Sequence, residues 1–208
     1  KGDEPCVAIT FFTVRKGSGT SVLSAHVAAN LSLLGYRVLF GDLDPQASIT
    51  NMFGVTPELD PDMPTTYDMI RHVEPVPARD VIQKTCFPNL DLIPAGMSLM
   101  KFEYEAGFAL RNPSTTGAFH TRIANALEPV LSDYDVVIFD TPPQINLTTA
   151  AALFASRGVL IPMDGSKWKF PRRGRRFRPN PPMKPKRQRH CARQPSNQIC
   201  PIMQTYWT

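Results

Sequence analysis

The chain predicts an α/β fold, a mostly parallel sheet with helices on both faces. Three observations carry that expectation: short β-rich apolar runs alternate with stretches of helical spacing, a glycine loop joins the first run to the first helix, and two later runs end in aspartates. Cys6–Phe12 is short, apolar and β-rich, as a buried strand is. Ser21 to Leu34 carries apolar residues at helical spacing and meets a stop signal at Gly35. Arg37 to Asp44 is a second buried strand, followed by a short helical segment to Phe53. The Pro- and Asp-rich stretch from Val55 to Pro88 predicts loops with short helices at Thr65–Arg71 and Ala78–Lys84. Leu90–Pro94 is a strand. Met97 to Leu110 is a core-facing helix through Leu99, Met100, Phe102, Phe108 and Leu110. Gly117–Leu131 is another helix, Tyr134–Asp140 a strand, Leu147–Ser156 a helix and Val159–Met163 the last strand. That makes about five strands.

Acidic residues at the C-terminal ends of parallel strands lie beside the crevice where such sheets bind ligands. Asp42, Asp44 and Asp140 would therefore line one site, together with the loop after Phe12. That loop, Val14 to Ser21, sits where a phosphate-binding loop of pattern G-x-x-x-x-G-K-[ST] would sit. There, backbone N–H groups and a helix N-terminus cradle phosphates, a lysine reaches the terminal phosphates, and a hydroxyl holds Mg2+. Gly17, Gly19 and Ser21 fit, whereas Val14 and Thr20 do not. A Gly/Ser turn before a helix is the competing reading of the loop taken alone.

Gly41-Asp-Leu-Asp-Pro-Gln-Ala-Ser48 and Val137-Ile-Phe-Asp-Thr-Pro-Pro143, at this separation behind a glycine loop, resemble the ParA/MinD group of deviant Walker ATPases. Leu34-Gly-Tyr-Arg-Val-Leu39 and Leu90-Asp-Leu-Ile-Pro94 are similar too, and the likeness is strongest to ParA-type partition proteins of the RepA-like, repABC plasmid kind. It covers roughly residues 7 to 163. The resemblance implies a P-loop NTPase-like fold lacking the C-terminal part of its domain, with ATP and Mg2+ as cofactors. It also implies a nucleotide-dependent homodimer, a ParB-type centromere-binding partner, association with non-specific DNA, and a cytoplasmic location.

Position by position, the resemblance implies nucleotide contacts from Arg15, Lys16, Gly17, Ser18, Gly19, Thr20, Ser21 and Val22. Arg15 matches the signature lysine that crosses the dimer interface; a one-residue deletion would give that role to Lys16. Thr20 replaces the phosphate lysine in either register, and Ser21 matches the Mg2+ hydroxyl. Asp44 matches the carboxylate that orients the attacking water, with Asp42 beside it, and Asp140 matches the Walker B aspartate that holds Mg2+. Phosphoryl transfer depends almost wholly on positioning and electrostatics. Losing a charged donor to the developing oxyanion costs roughly 3 kcal/mol or more, on the order of 10²-fold in rate. Hydrolysis is expected to be weak or absent.

Charge divides the 208 residues. All 18 acidic residues lie in 1–164, which carries 11 Lys/Arg and a net charge of −7; residues 165–208 carry 12 Lys/Arg and no acid. The expected organisation is an incomplete nucleotide-binding domain over 1–164 and a disordered basic tail over 165–208. The tail reads in two ways. It could hold nucleic acid through phosphates, with Trp168, Phe170 and Phe177 available for stacking. Alternatively, the abrupt change at Gly165 marks out-of-frame translation of a damaged gene, which would also explain Thr20. A non-catalytic nucleic-acid-binding module or pseudogene product is thus the second functional expectation. The start at Lys1, without signal or transit features, suggests a fragment.

No apolar run is long enough to span a membrane, and the Pro-interrupted tail cannot form the amphipathic membrane helix of a MinD-type regulator. Cys6, Cys86, Cys191 and Cys200 lack C-x-x-C spacing, so free thiols are expected; His190, Cys191 and Cys200 lack a fourth zinc ligand. His26 and His72 are expected to serve packing or surface roles.

Overall fold

Two strands with no exposed position organise the molecule. In the computed structural model, which describes residues 6–60, 62–111 and 119–163, β2 (Val38–Asp42) and β5 (Val136–Asp140) lie side by side in parallel at the centre of a sheet. All of β2 and four of the five residues of β5 are buried, which explains why both read as unbroken apolar runs. Around them stand β1 (Val7–Phe11), β3 (Gln83–Lys84), β4 (Leu90–Ile93) and β6 (Gly158–Leu160), giving the order β3-β4-β2-β5-β1-β6. Every pairing is parallel except that of β3 with β4. The Arg37 guanidinium and backbone N–H both bond Asp135, tying the start of β2 to the start of β5.

Helices α1 (Thr20–Leu33) and α2 (Ser48–Met52) cover one face, over Phe11, Val38, Phe40, Leu92 and Ile138. The other face carries α3 (Thr66–Ile70), α4 (Ala78–Val81), α5 (Met100–Arg111), α6 (Arg122–Leu127) and α7 (Leu147–Ala155), packed over Leu39, Val137 and Phe139. The predicted α/β class, with a mostly parallel sheet and helices on both faces, is what the chain forms.

Four expectations need correction. First, α1 buries Thr20, Ser24, Ala25, Ala28 and Ser32 and packs half-buried Val27 and Leu31 against the same core, but Val22, Leu23 and Leu33 are exposed; small side chains let the helix lie close on the sheet. Second, the helix expected over Ala78–Lys84 stops at Val81, because Gln83 and Lys84 pair antiparallel with Leu92 and Asp91 and the Lys84 ammonium reaches Asp91 at 2.8 Å. Third, the stretch predicted as one helix to Leu131 is broken into a 3₁₀ turn at Phe119–Thr121, α6, and a 3₁₀ segment at Glu128–Asp133. Pro129 lacks the N–H that would continue the α-helix and crowds the residue before it. Fourth, the helix expected from Met97 opens as a 3₁₀ turn at Met97–Leu99 before α5; Leu99 of that turn and Phe102 of α5 are buried, but Met100 is 44% exposed. The basic stretch 165–208, with Cys191, Cys200 and the proposed stacking aromatics, lies outside the described residues, as do the side chains of Phe108 and Leu110.

Candidate nucleotide site

The register of the central strands decides where the acidic residues meet. Phe11 pairs with Asp140 across β1 and β5, and Asp42 pairs with Asp140 across β2 and β5. Three strand ends thus converge at the C-terminal edge, where a doubly wound sheet opens a crevice.

From β1 the chain enters the glycine loop. Thr141 donates its hydroxyl to the Phe11 carbonyl at 3.0 Å, and the Arg15 N–H bonds the Thr13 hydroxyl at 3.1 Å, fixing the base of the loop. Gly17 and Gly19 both adopt φ of +73°, a left-handed conformation that side chains with a Cβ resist, so these two glycines let the loop turn into α1. No side chain caps α1 at Gly19. The first-turn N–H groups, with the helix dipole behind them, form an anion-binding end of the type used for phosphates. Arg15 and Lys16 are exposed on the outer limb of the loop, and Val22 is exposed one turn into the helix.

Thr20 behaves unlike a lysine. It is 5% exposed, and its hydroxyl shares a hydrogen bond of 2.7 Å with the Ser18 hydroxyl. The loop closes on itself through two neutral groups, with no ammonium at that position.

Asp140 is 1% exposed and accepts a hydrogen bond from the Ser24 hydroxyl at 3.1 Å. Burial pushes its pKa up to about 7, against the hydrogen bond from Ser21 and with the help of the nearby Asp42 charge. Asp42 is fully enclosed: one carboxylate oxygen accepts the Thr50 N–H at 2.9 Å and hydroxyl at 2.7 Å, and the other accepts the Asp44 N–H at 3.1 Å. Burial pushes Asp42 up to about 6, with the Thr50 bonds opposing. Its carboxylate is occupied in shaping the chain that follows. Asp44 is half-buried, and one of its oxygens accepts the Gln46 N–H at 3.0 Å in the turn leading to Ala47, which sits at φ +53° before α2.

Among the described residues no group of three His, Cys, Asp or Glu side chains converges as a metal cage. Mg2+ does not need one, because it keeps several waters and binds through one or two protein oxygens plus substrate phosphates. Ser21 beside Asp140, at the uncapped start of α1, fits that requirement. Thr20 does not fit the task of charge compensation at the terminal phosphate.

Three site-shaping residues escape motif reading. Ser24 anchors α1 to Asp140. Thr50 donates to Asp42 and accepts the Ala95 N–H at 2.9 Å, joining the ends of β2 and β4. Glu103 on α5 accepts the N–H groups of Leu147 and Thr148 at 3.0 and 2.9 Å and the Thr148 hydroxyl at 2.6 Å, holding the start of α7 behind the loop that follows Asp140. Thr50 carries a faint signal, since a hydroxyl on the short helix that follows a strand-end aspartate, eight residues on, can fold back to it. Glu103 carries none, because its partners lie more than 40 residues away.

Residues 7–171 match the family model described as an AAA domain. The chain belongs to this family. Its relatives identify the branch as ParA/MinD-type P-loop ATPases related to plasmid partition proteins. The chain is 40% identical over 164 residues to a replication protein A of Sinorhizobium fredii, covering 77% of this chain and 40% of the relative. To the sporulation initiation inhibitor protein Soj of Bacillus subtilis it is 35% identical, covering 76% of this chain and 57% of Soj. A plasmid partition protein of Borrelia burgdorferi solved with AMPPNP superposes with TM-score 0.65 at 29% identity, covering 79% of this chain and 65% of that one. A cobyrinic acid a,c-diamide synthase of Mycobacterium smegmatis with ADP and magnesium gives TM-score 0.66 at 25% identity, covering 76% and 60%. The chain spans about two fifths of the length of the replication proteins it matches.

Proposed function

We propose that residues 1–164 form the nucleotide-binding domain of a partition ATPase that binds Mg2+-ATP and hydrolyses it weakly or not at all. The observation that carries this reading is the pairing of Thr20 with Ser18 at the start of α1, beside two strand-end aspartates in register, Asp42 and Asp140. The loop N–H groups would hold the phosphates, and Ser21 with Asp140 would hold Mg2+. Asp44 would orient water, while Asp42 shapes the turn that presents Asp44. Arg15, exposed on the loop, would reach a nucleotide bound by a second copy. Mg2+ supplies charge neutralisation between the phosphates, but without a lysine the terminal phosphate loses its principal protein cation. The Borrelia relative solved with AMPPNP and the mycobacterial relative solved with ADP and magnesium support nucleotide and metal as ligands. The second is a synthase, so the activity is set by the residues of the site and not by the fold.

By this reading the protein acts in the cytoplasm in plasmid or chromosome segregation, through nucleotide-controlled dimerisation and DNA association, alongside a ParB-type centromere-binding partner. Steady-state phosphate release by the native chain and by Thr20→Lys tests the catalytic part. The expected outcome is a rise on the order of 10²-fold in the variant; equal turnover defeats the reading. The 12 Lys/Arg without acid in 165–208 favour a second reading, a non-catalytic nucleic-acid-binding module. DNA binding indifferent to nucleotide and abolished by deleting 165–208 would select it. Among the described residues no helix is long and apolar enough to cross a membrane.

A further inference from the structure

Away from the nucleotide crevice, the far end of α3, the segment leading into α4, and α6 enclose an open groove of about 400 Å³. Its floor is apolar, formed by Ile70 and Val130, both 1% exposed. Pro75, Pro77 and Pro129 contribute to its walls, and three arginines, Arg71, Arg79 and Arg122, stand around it.

The three cations are not equivalent. Arg71 faces Asp68 at 3.6 Å, and Arg79 faces Asp133 at 2.9 Å. Arg122 has no carboxylate at ion-pair distance among the described residues. One of its N–H groups bonds the Ile70 carbonyl at 3.1 Å and another meets the His72 ring nitrogen, leaving three of its five donors without an acceptor among the described residues. Glu105, the acid whose charge acts on Arg122, is engaged by the Tyr67 hydroxyl at 2.6 Å and the His72 N–H. Burial holds the Arg122 guanidinium below the ordinary arginine range, with Glu105 acting against that. A guanidinium with spare donors beside an apolar floor is matched by a carboxylate carried on an apolar body. The prolines offer no N–H for a β-ladder, so recognition here runs through side chains.

The geometry points to a docking site for an extended segment of a partner protein, in which an acidic side chain that pairs with Arg122 adjoins a large apolar one that fills the groove. An extended segment sends alternate side chains to one side, and a groove of this size takes a few of them. This assignment stands independently of the nucleotide reading.

Panning the full chain against phage-displayed random octapeptides, followed by fluorescence anisotropy on synthesised hits, tests it. The hits are expected to share an acidic residue beside a large apolar one. Replacing that acid by glutamine should weaken binding at least tenfold, and Arg122→Gln should do the same. Asn125→Glu, at an exposed helical position on the groove wall, places a competing carboxylate in the site without disturbing the core. It should weaken the hits at least tenfold while leaving the melting temperature nearly unchanged. Failure to enrich any peptide family, hits without an acid, hits that bind Asn125→Glu as tightly as the native chain, or binding lost instead on changing Arg15 and Lys16 would each overturn the assignment.

Discussion

Asp140 makes the metal-free protein less stable than it would be with a neutral side chain. The carboxylate is 1% exposed, and its folded-state pKa stands at about 7 against 3.8 for an ordinary aspartate. Each pH unit of such displacement corresponds to about 1.4 kcal/mol, so holding the charged form costs about 4 kcal/mol at most. The sign follows from proton binding. The native state holds a proton over a pH range in which the unfolded chain has released it, so the cost is absent below about 3.8, grows between 3.8 and 7, and is complete at pH 8. Asp140→Asn keeps the shape and an acceptor for Ser24 and removes the charge. In thermal melts without Mg2+ at pH 8, the variant should melt higher by on the order of 10 °C, taking about 2–4 °C per kcal/mol for a chain of this size. At pH 5 the gap should shrink to less than half. Mg2+-ATP should raise the melting point of the native chain but not of the variant. A variant melting at or below the native chain at pH 8 would refute the argument that burial dominates this carboxylate.

Other substitutions read out neighbouring contacts. A Cβ on Gly41 would lie 2.8 Å from Cδ1 and 3.1 Å from Cε1 of the buried Phe139 ring, so Gly41→Ala should lose about 1–3 kcal/mol in urea unfolding. Thr50→Val removes the donor to Asp42 and orphans the Ala95 N–H, which should cost roughly 3 kcal/mol or more. It should also move Asp42 further above its value of about 6, visible in a carboxyl carbon NMR titration. Glu103→Gln withdraws a negative charge from the first turn of α7, costing about 1 kcal/mol and speeding hydrogen exchange at Leu147 and Thr148.

Sequence reading succeeded where one physical effect dominated. Val38–Asp42 and Val136–Asp140 are enclosed on both faces, so composition alone marks them, and the aspartates at their ends follow from parallel pairing. It failed where tertiary contacts outweighed local preference. Gln83 and Lys84 had a helical neighbourhood but found a strand partner and an acid. Pro129 divided a stretch whose apolar spacing continued past it. Within the site, the loop and the acids could be found by pattern, whereas the use of Asp42 as an internal tie required knowing that Thr50 folds back over it. Thr20 was conspicuous as a substitution, but its partner became evident only once the loop was closed.

The buried stripe of small residues on α1 also bears on how this helix tolerates change. Saturation mutagenesis guided by hydrophobicity would single out Leu23, Leu33 and Leu34 as the positions to leave alone, yet all three face solvent. Intolerance should instead fall on Ser24, Ala25, Ala28 and Ser32, where an added methylene would lift the helix from the sheet. At Ser24 the same lift would pull its hydroxyl away from Asp140. On this helix the smallest side chains should be the least replaceable ones.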